Sequence, residues 1–160
     1  LSMRIRNFSV SLMTESIRDL VDFVAERTEN SDFAFLDLFD VSKPSDMASG
    51  YAKKYAPAGS ERISHVAMWV NTGEKYPRVS KAPFCSCIVV RSFEEEFVLI
   101  LGHELRHIFQ FWSLPFYNVE DAEKDAEAWG QALMLEWRTR QEILDERATE
   151  MATQPIAAAL

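Results

Sequence analysis

His103-Glu104-Leu105-Arg106-His107 puts two imidazoles and a carboxylate into one short stretch. Histidines four apart on a helix project from the same face, one turn from each other. That spacing lets both rings reach a single zinc ion, whose bonds to histidine nitrogen are about 2.0–2.1 Å long. Glu104 then points into the same cleft. There it can take a proton from a metal-activated water and act as general base. The chain has 3 histidines, so the motif uses all but His65.

A catalytic zinc needs three protein ligands and one open position. Later in the chain Glu120, Asp121, Glu123, Asp125 and Glu127 are all candidates for the third ligand. A solvated, acidic helix start accounts for several of them without any metal, Glu120 and Asp121 above all. Glu123 and Glu127 fit a metal better. They stand one turn apart, and Glu123 borders the small residues Ala126 and Gly130, which would let its helix approach the HExxH helix closely. Glu127 would sit behind, placed to accept a hydrogen bond from a ligating histidine.

The elements that must position these groups are legible in outline. Residues 3–12 alternate apolar and polar and read as a first strand. Thr14 or Ser16 can cap a helix running to about Thr28, with Ile17, Leu20, Val21 and Val24 on its apolar face. The run 33–41 is apolar and aromatic, and periodicity leaves strand and short helix both open. Residues 42–62, with Pro44, Gly50, Pro57 and Gly59, read as an irregular connection with a short helix near 45–55. Residues 62–71 and 84–91 read as strands joined across turn-forming residues 72–75. Cys85 and Cys87 then share one face of the second strand as small buried hydrophobes. Ser92 and Glu95 form a capping box. The helix carrying HExxH is therefore predicted from about Phe93 to Trp112, with Pro115 beyond it. A last helix is predicted over about 119–150, with Ala122, Ala126, Trp129, Leu133 and Trp137 along its apolar stripe.

At 160 residues, 48% of them hydrophobic, the chain reads as a single domain with a real core. The core is expected over about 62–150 and a loose tail over 153–160. Leu1-Ser2 ahead of Met3 reads as a cloning remnant. The formal charge of −8 argues against nucleic acid as a partner. No run approaches the roughly 20 apolar residues that span a bilayer, and no signal peptide is evident. A cytoplasmic location without membrane attachment is expected.

HELRH together with Glu123-Lys124-Asp125-Ala126-Glu127-Ala128-Trp129-Gly130 resembles the zincin metallopeptidases of the gluzincin branch, and is most similar to the minimal ImmA/IrrE-type peptidases. The likeness covers about 62–138. It implies an α+β fold, in which a small mixed sheet packs on the HExxH helix and a long C-terminal helix supplies the third ligand. It implies one zinc ion per chain on His103, His107 and Glu123, with Glu104 as base and Glu127 behind the ligands. Tyr117 would follow as an oxyanion donor, or else close the core beneath its loop. The segment 65–70 would be the edge strand that holds an extended peptide, so that Ala67, Met68 and Trp69 contact substrate. The connection 72–83 would be a flap or a plain hairpin loop. No histidine follows His107, which excludes the metzincin arrangement.

The function implied is that of a zinc-dependent endopeptidase acting on a protein or peptide, with a regulatory protein partner as a further expectation. The competing expectation is a catalytically silent zincin-fold protein that binds metal and serves as an interaction module. Intact Glu104 speaks for catalysis.

Overall fold

The computed structural model describes residues 3–29, 34–55, 63–80, 82–113 and 118–154. Its elements run β1 (Arg4–Asn7), α1 (Thr14–Arg27), β2 (Ala34–Asp40), β3 (Ser49–Tyr55), β4 (Ile63–Val70), β5 (Arg78–Ser80), β6 (Ile88–Val90), α2 (Phe93–Ser113) and α3 (Val119–Thr153). The architecture is mixed, a small sheet with three helices among the described residues, as expected for an α+β chain. No helix among them is long and apolar enough to cross a membrane.

The main sheet has the order β1-β2-β4-β3. β1, β2 and β4 are parallel, and β3 runs antiparallel to β4 along one edge. Side chains alternate between faces along a strand, so the register decides what faces the helices. Leu36, Leu38, Val66, Met68 and Val70 share the inner face and are nearly fully buried. They form one core with Ile17, Leu20, Val21 and Val24 of α1 and with Phe97, Val98, Leu101, Leu105 and Ile108 of α2. Burying each large apolar side chain is worth about 1.5–3 kcal/mol, so this layer holds α2 firmly against the sheet. Trp112 adds a polar tie, its indole N–H donating to the buried Ser64 hydroxyl at 2.8 Å.

Several expectations need correction. The segment 65–70 is not an edge strand, because β4 pairs with β2 on one side and β3 on the other. Ala67 and Met68 are buried within it, and Trp69 stacks on Phe39 of β2. The edge beside it is β3, where a short helix was expected near 45–55; β1 forms the other edge. The second expected strand shrinks from 84–91 to Ile88–Val90, which pairs with β5 in a separate two-stranded sheet. Cys85 and Cys87 therefore lie in the preceding loop, and Cys87 is exposed. The core also extends well before residue 62, since β1, α1 and β2 all contribute to it. The helix α1 starts without a side-chain cap: Ser16 donates back to the Met13 carbonyl instead. Only half of the capping box on α2 forms. The Glu95 N–H donates to Ser92 Oγ, while the Glu95 carboxylate accepts from the Arg91 N–H and from Arg138.

Two glycines set how close α2 and α3 come. A Cβ on Gly130 would lie 2.5 Å from the Leu99 carbonyl oxygen and 3.2 Å from the His103 nitrogen. A Cβ on Gly102 would lie 3.3 Å from the Gly130 Cα. Backbone therefore meets backbone at the first residue of the HExxH motif and one turn before it.

Candidate metal centre

The close approach of the two helices brings one carboxylate of α3 onto the histidine face of α2. His103 Nε2 and His107 Nε2 are 3.1 Å apart. Glu123 lies 3.3 Å from each of them, one carboxylate oxygen toward each ring. Ligands about 2.0–2.1 Å from a tetrahedral zinc stand about 3.3–3.4 Å from one another. His103, His107 and Glu123 thus form a triangle of side chains whose ligand atoms all lie within 4.8 Å of one another, a spacing at which these residues could hold a metal ion.

The other acidic candidates on α3 have different partners. Glu120 pairs with Lys124. Asp121 is engaged with the Asn118 N-cap. Asp125 takes both arms of Arg106. Glu127 accepts from the Phe84 backbone N–H at 3.1 Å and makes no hydrogen bond to either histidine among the described residues.

The position behind the ligands, expected for Glu127, belongs to Gln110. Its Oε1 is 2.8 Å from His107 Nδ1. Its amide nitrogen donates to Asp125 Oδ2 and to the Ala122 carbonyl, both at 2.9 Å, which fixes which end of the amide faces the ring. An acceptor oxygen against Nδ1 requires the hydrogen on Nδ1, leaving the Nε2 lone pair free for the triangle. Burial works against charge on Asp125, but the hydrogen bonds from Arg106 and Gln110 prevail and hold its carboxyl below the usual range. The spacing from His107 to Gln110 was readable in the sequence, but Asp125 as its anchor needed the helix pairing. Replacing Gln110 by leucine frees the His107 ring and should weaken zinc binding about 10–100-fold, as removal of such supports does. Competition with a chromophoric chelator measures it, and unchanged affinity would rule the support out.

His103 is poised in the same sense. Burial, and then the neighbouring His107, pull its pKa down to about 4 against the opposing pull of Glu123. The ring is therefore neutral near pH 7, as a metal ligand must be.

Glu104 lies on the adjoining face of α2, buried beneath β3. Gly50 is paired with Met68 in the β3–β4 register and so faces the helix. A Cβ there would lie 2.5 Å from Glu104 Cγ. Only a glycine lets the edge strand pass this close. Burial, and then the charge of Glu123, raise the Glu104 pKa to about 8. A carboxyl raised by folding favours the fold while protonated. In protein stripped of metal, stability should fall as pH rises from about 4.5 to about 8 and then level off. At about 1.4 kcal/mol per unit, the loss is on the order of 5 kcal/mol. Glu104→Gln should remove that slope in chelator-treated protein, and parallel slopes in urea titrations would contradict it.

The chain matches no family model, no curated protein and no solved structure.

Beside the triangle lies a cavity of about 210 Å³ that opens on His103 and Glu104. Met47, Ala48, Leu99 and Ile100 give it apolar walls. Also in its lining, Arg78 forms an ion pair with the buried Glu96, which accepts from the Tyr76 hydroxyl. None of this was foreseen from the sequence, because its walls come from four separate segments.

The remaining histidine and two arginines of the chain lie in other networks. His65 is bonded to Asp37 at 2.7 Å, and Asp37 also takes Arg6, so it belongs to a network on the sheet. Arg138 and Arg91 are occupied by Glu95 and Glu142 respectively. Tyr117 lies outside the described residues.

Proposed function

We propose that this chain is a zincin-type metallopeptidase, with His103, His107 and Glu123 holding one zinc ion and Glu104 serving as general base. The observation that carries the reading is the three-residue triangle with Glu104 in the same cleft, under an edge strand. Zinc, when bound, supplies a Lewis acid for the scissile carbonyl and makes water acidic enough to attack near neutral pH.

The residues of the chain do the rest. β3, at one edge of the sheet formed by the described strands, would offer main-chain hydrogen bonds to an extended peptide, in the manner of an added strand. Gly50 brings that edge against Glu104, so the peptide backbone and the base meet in one place. Glu104 accepts a proton from the attacking water and returns it to the leaving amine. A pKa raised by burial suits that task, because a base works best when its pKa lies near the working pH. Gln110 and Asp125 hold the His107 ring in the ligating tautomer throughout.

The test begins with protein purified without an affinity metal. Elemental analysis should give about one zinc per chain. A mixed peptide library followed by mass spectrometry should reveal cleavage that a chelator abolishes and stoichiometric zinc restores. A chain that takes up no metal even in added zinc would end the reading.

A further inference from the structure

Glu127 has no part in holding the histidines, and its surroundings suggest another use. It stands on the wall of the cavity beside His103 and Glu104. Its carboxylate accepts from the Phe84 N–H, and no cationic side chain pairs with it among the described residues. Among the described residues the arginine of the cavity, Arg78, is paired with Glu96. Leu99, Ile100, Met47 and Ala48 give the cavity aliphatic lining. An apolar channel with a carboxylate on its wall suits a side chain built as a hydrocarbon stem with a charged head. The size agrees. A water takes about 30 Å³ of liquid, so 210 Å³ has room for the five to seven heavy atoms of a lysine or arginine side chain. An acidic side chain would meet Glu127 and Glu104. The net charge of −8 favours the approach of basic substrates in the same sense.

We infer that the cavity is the specificity pocket of the site, that it takes a lysine or arginine flanking the cleaved bond, and that Glu127 is the residue that selects it. This rests on the peptidase reading, and its test separates the two.

The zinc-loaded full chain is given peptides identical except for lysine, norleucine or glutamate at the position next to the cleaved bond. The lysine peptide should be preferred over norleucine about tenfold in kcat/KM, the order of one charge-assisted hydrogen bond. Glu127→Gln should bring that ratio close to one, and Glu127→Lys should turn the preference toward glutamate. Because the readout is a ratio, a general loss of folded protein does not move it. Cleavage without basic preference, or a ratio unchanged in Glu127→Gln, overturns the pocket assignment and leaves the peptidase reading standing. If the zinc-loaded chain cleaves no peptide, the peptidase reading fails, and the pocket is judged by binding alone. The methyl signals of Leu99 and Ile100 are then followed by NMR during titration with Nα-acetyl-lysine amide and Nα-acetyl-norleucine amide. Shifts caused by the lysine probe, and lost in Glu127→Gln, sustain a basic pocket. Equal shifts, or none, overturn it.

Discussion

Glu104→Gln should keep its zinc and lose peptide hydrolysis by about 10²–10⁴-fold, the usual worth of a positioned general base. The amide has the shape of the carboxylate, so the contact with Gly50 and the cavity mouth are preserved. None of the three triangle residues is altered. What disappears is the ability to accept a proton. The loss should fall on kcat rather than KM, because the group acts on the attacking water and not on peptide binding. Stopped assays on the zinc-loaded variant, with metal content measured on the same sample, decide the matter. Full activity with full zinc would mean that another group is the base.

The second large effect concerns the ion itself. Glu123→Ala should lower zinc affinity by more than the roughly 100-fold that loss of an indirect support costs, since on the proposed reading a direct ligand goes. Two imidazoles would remain, 3.1 Å apart, with nothing on α3 to complete the set. Glu120→Ala is the matched comparison. Its carboxylate lies one turn away and is engaged with Lys124, so its removal should leave zinc binding as it was. Chelator competition on both variants gives the answer. Equal zinc retention would remove Glu123 from the site.

Sequence patterning was informative where burial imposes a period. The 3.6-residue repeat outlined α1, α2 and α3 to within a few residues, because each buries one stripe. Gly130 beside Glu123 hinted correctly at a close helix seam. The pattern failed at β3. Its residues Ser49, Gly50, Lys53 and Lys54 are polar or small, since an edge strand with a solvated face needs little apolar surface. It failed again at Glu127, where spacing along one helix suggested a partner that the packing assigned to Gln110. Periodicity reports which face of an element is buried. It carries no information on which side chain of a neighbouring helix ends up opposite.

The contact at Gly130 reaches beyond stability. His103 and His107 ride on α2 as one rigid pair, while Glu123 rides on α3. The nitrogen–nitrogen edge of the triangle is set inside a single helix, and the two nitrogen–oxygen edges are set by the gap between helices. The seam is therefore a gauge for ionic size. A methyl group at position 130 would meet the Leu99 carbonyl and push α3 outward, lengthening only the edges that end on the carboxylate. The opening would suit a larger cation with longer metal–oxygen bonds, with no change to any ligand. On the proposed reading, the choice of metal would be written as much in a glycine as in the three residues that could hold the ion.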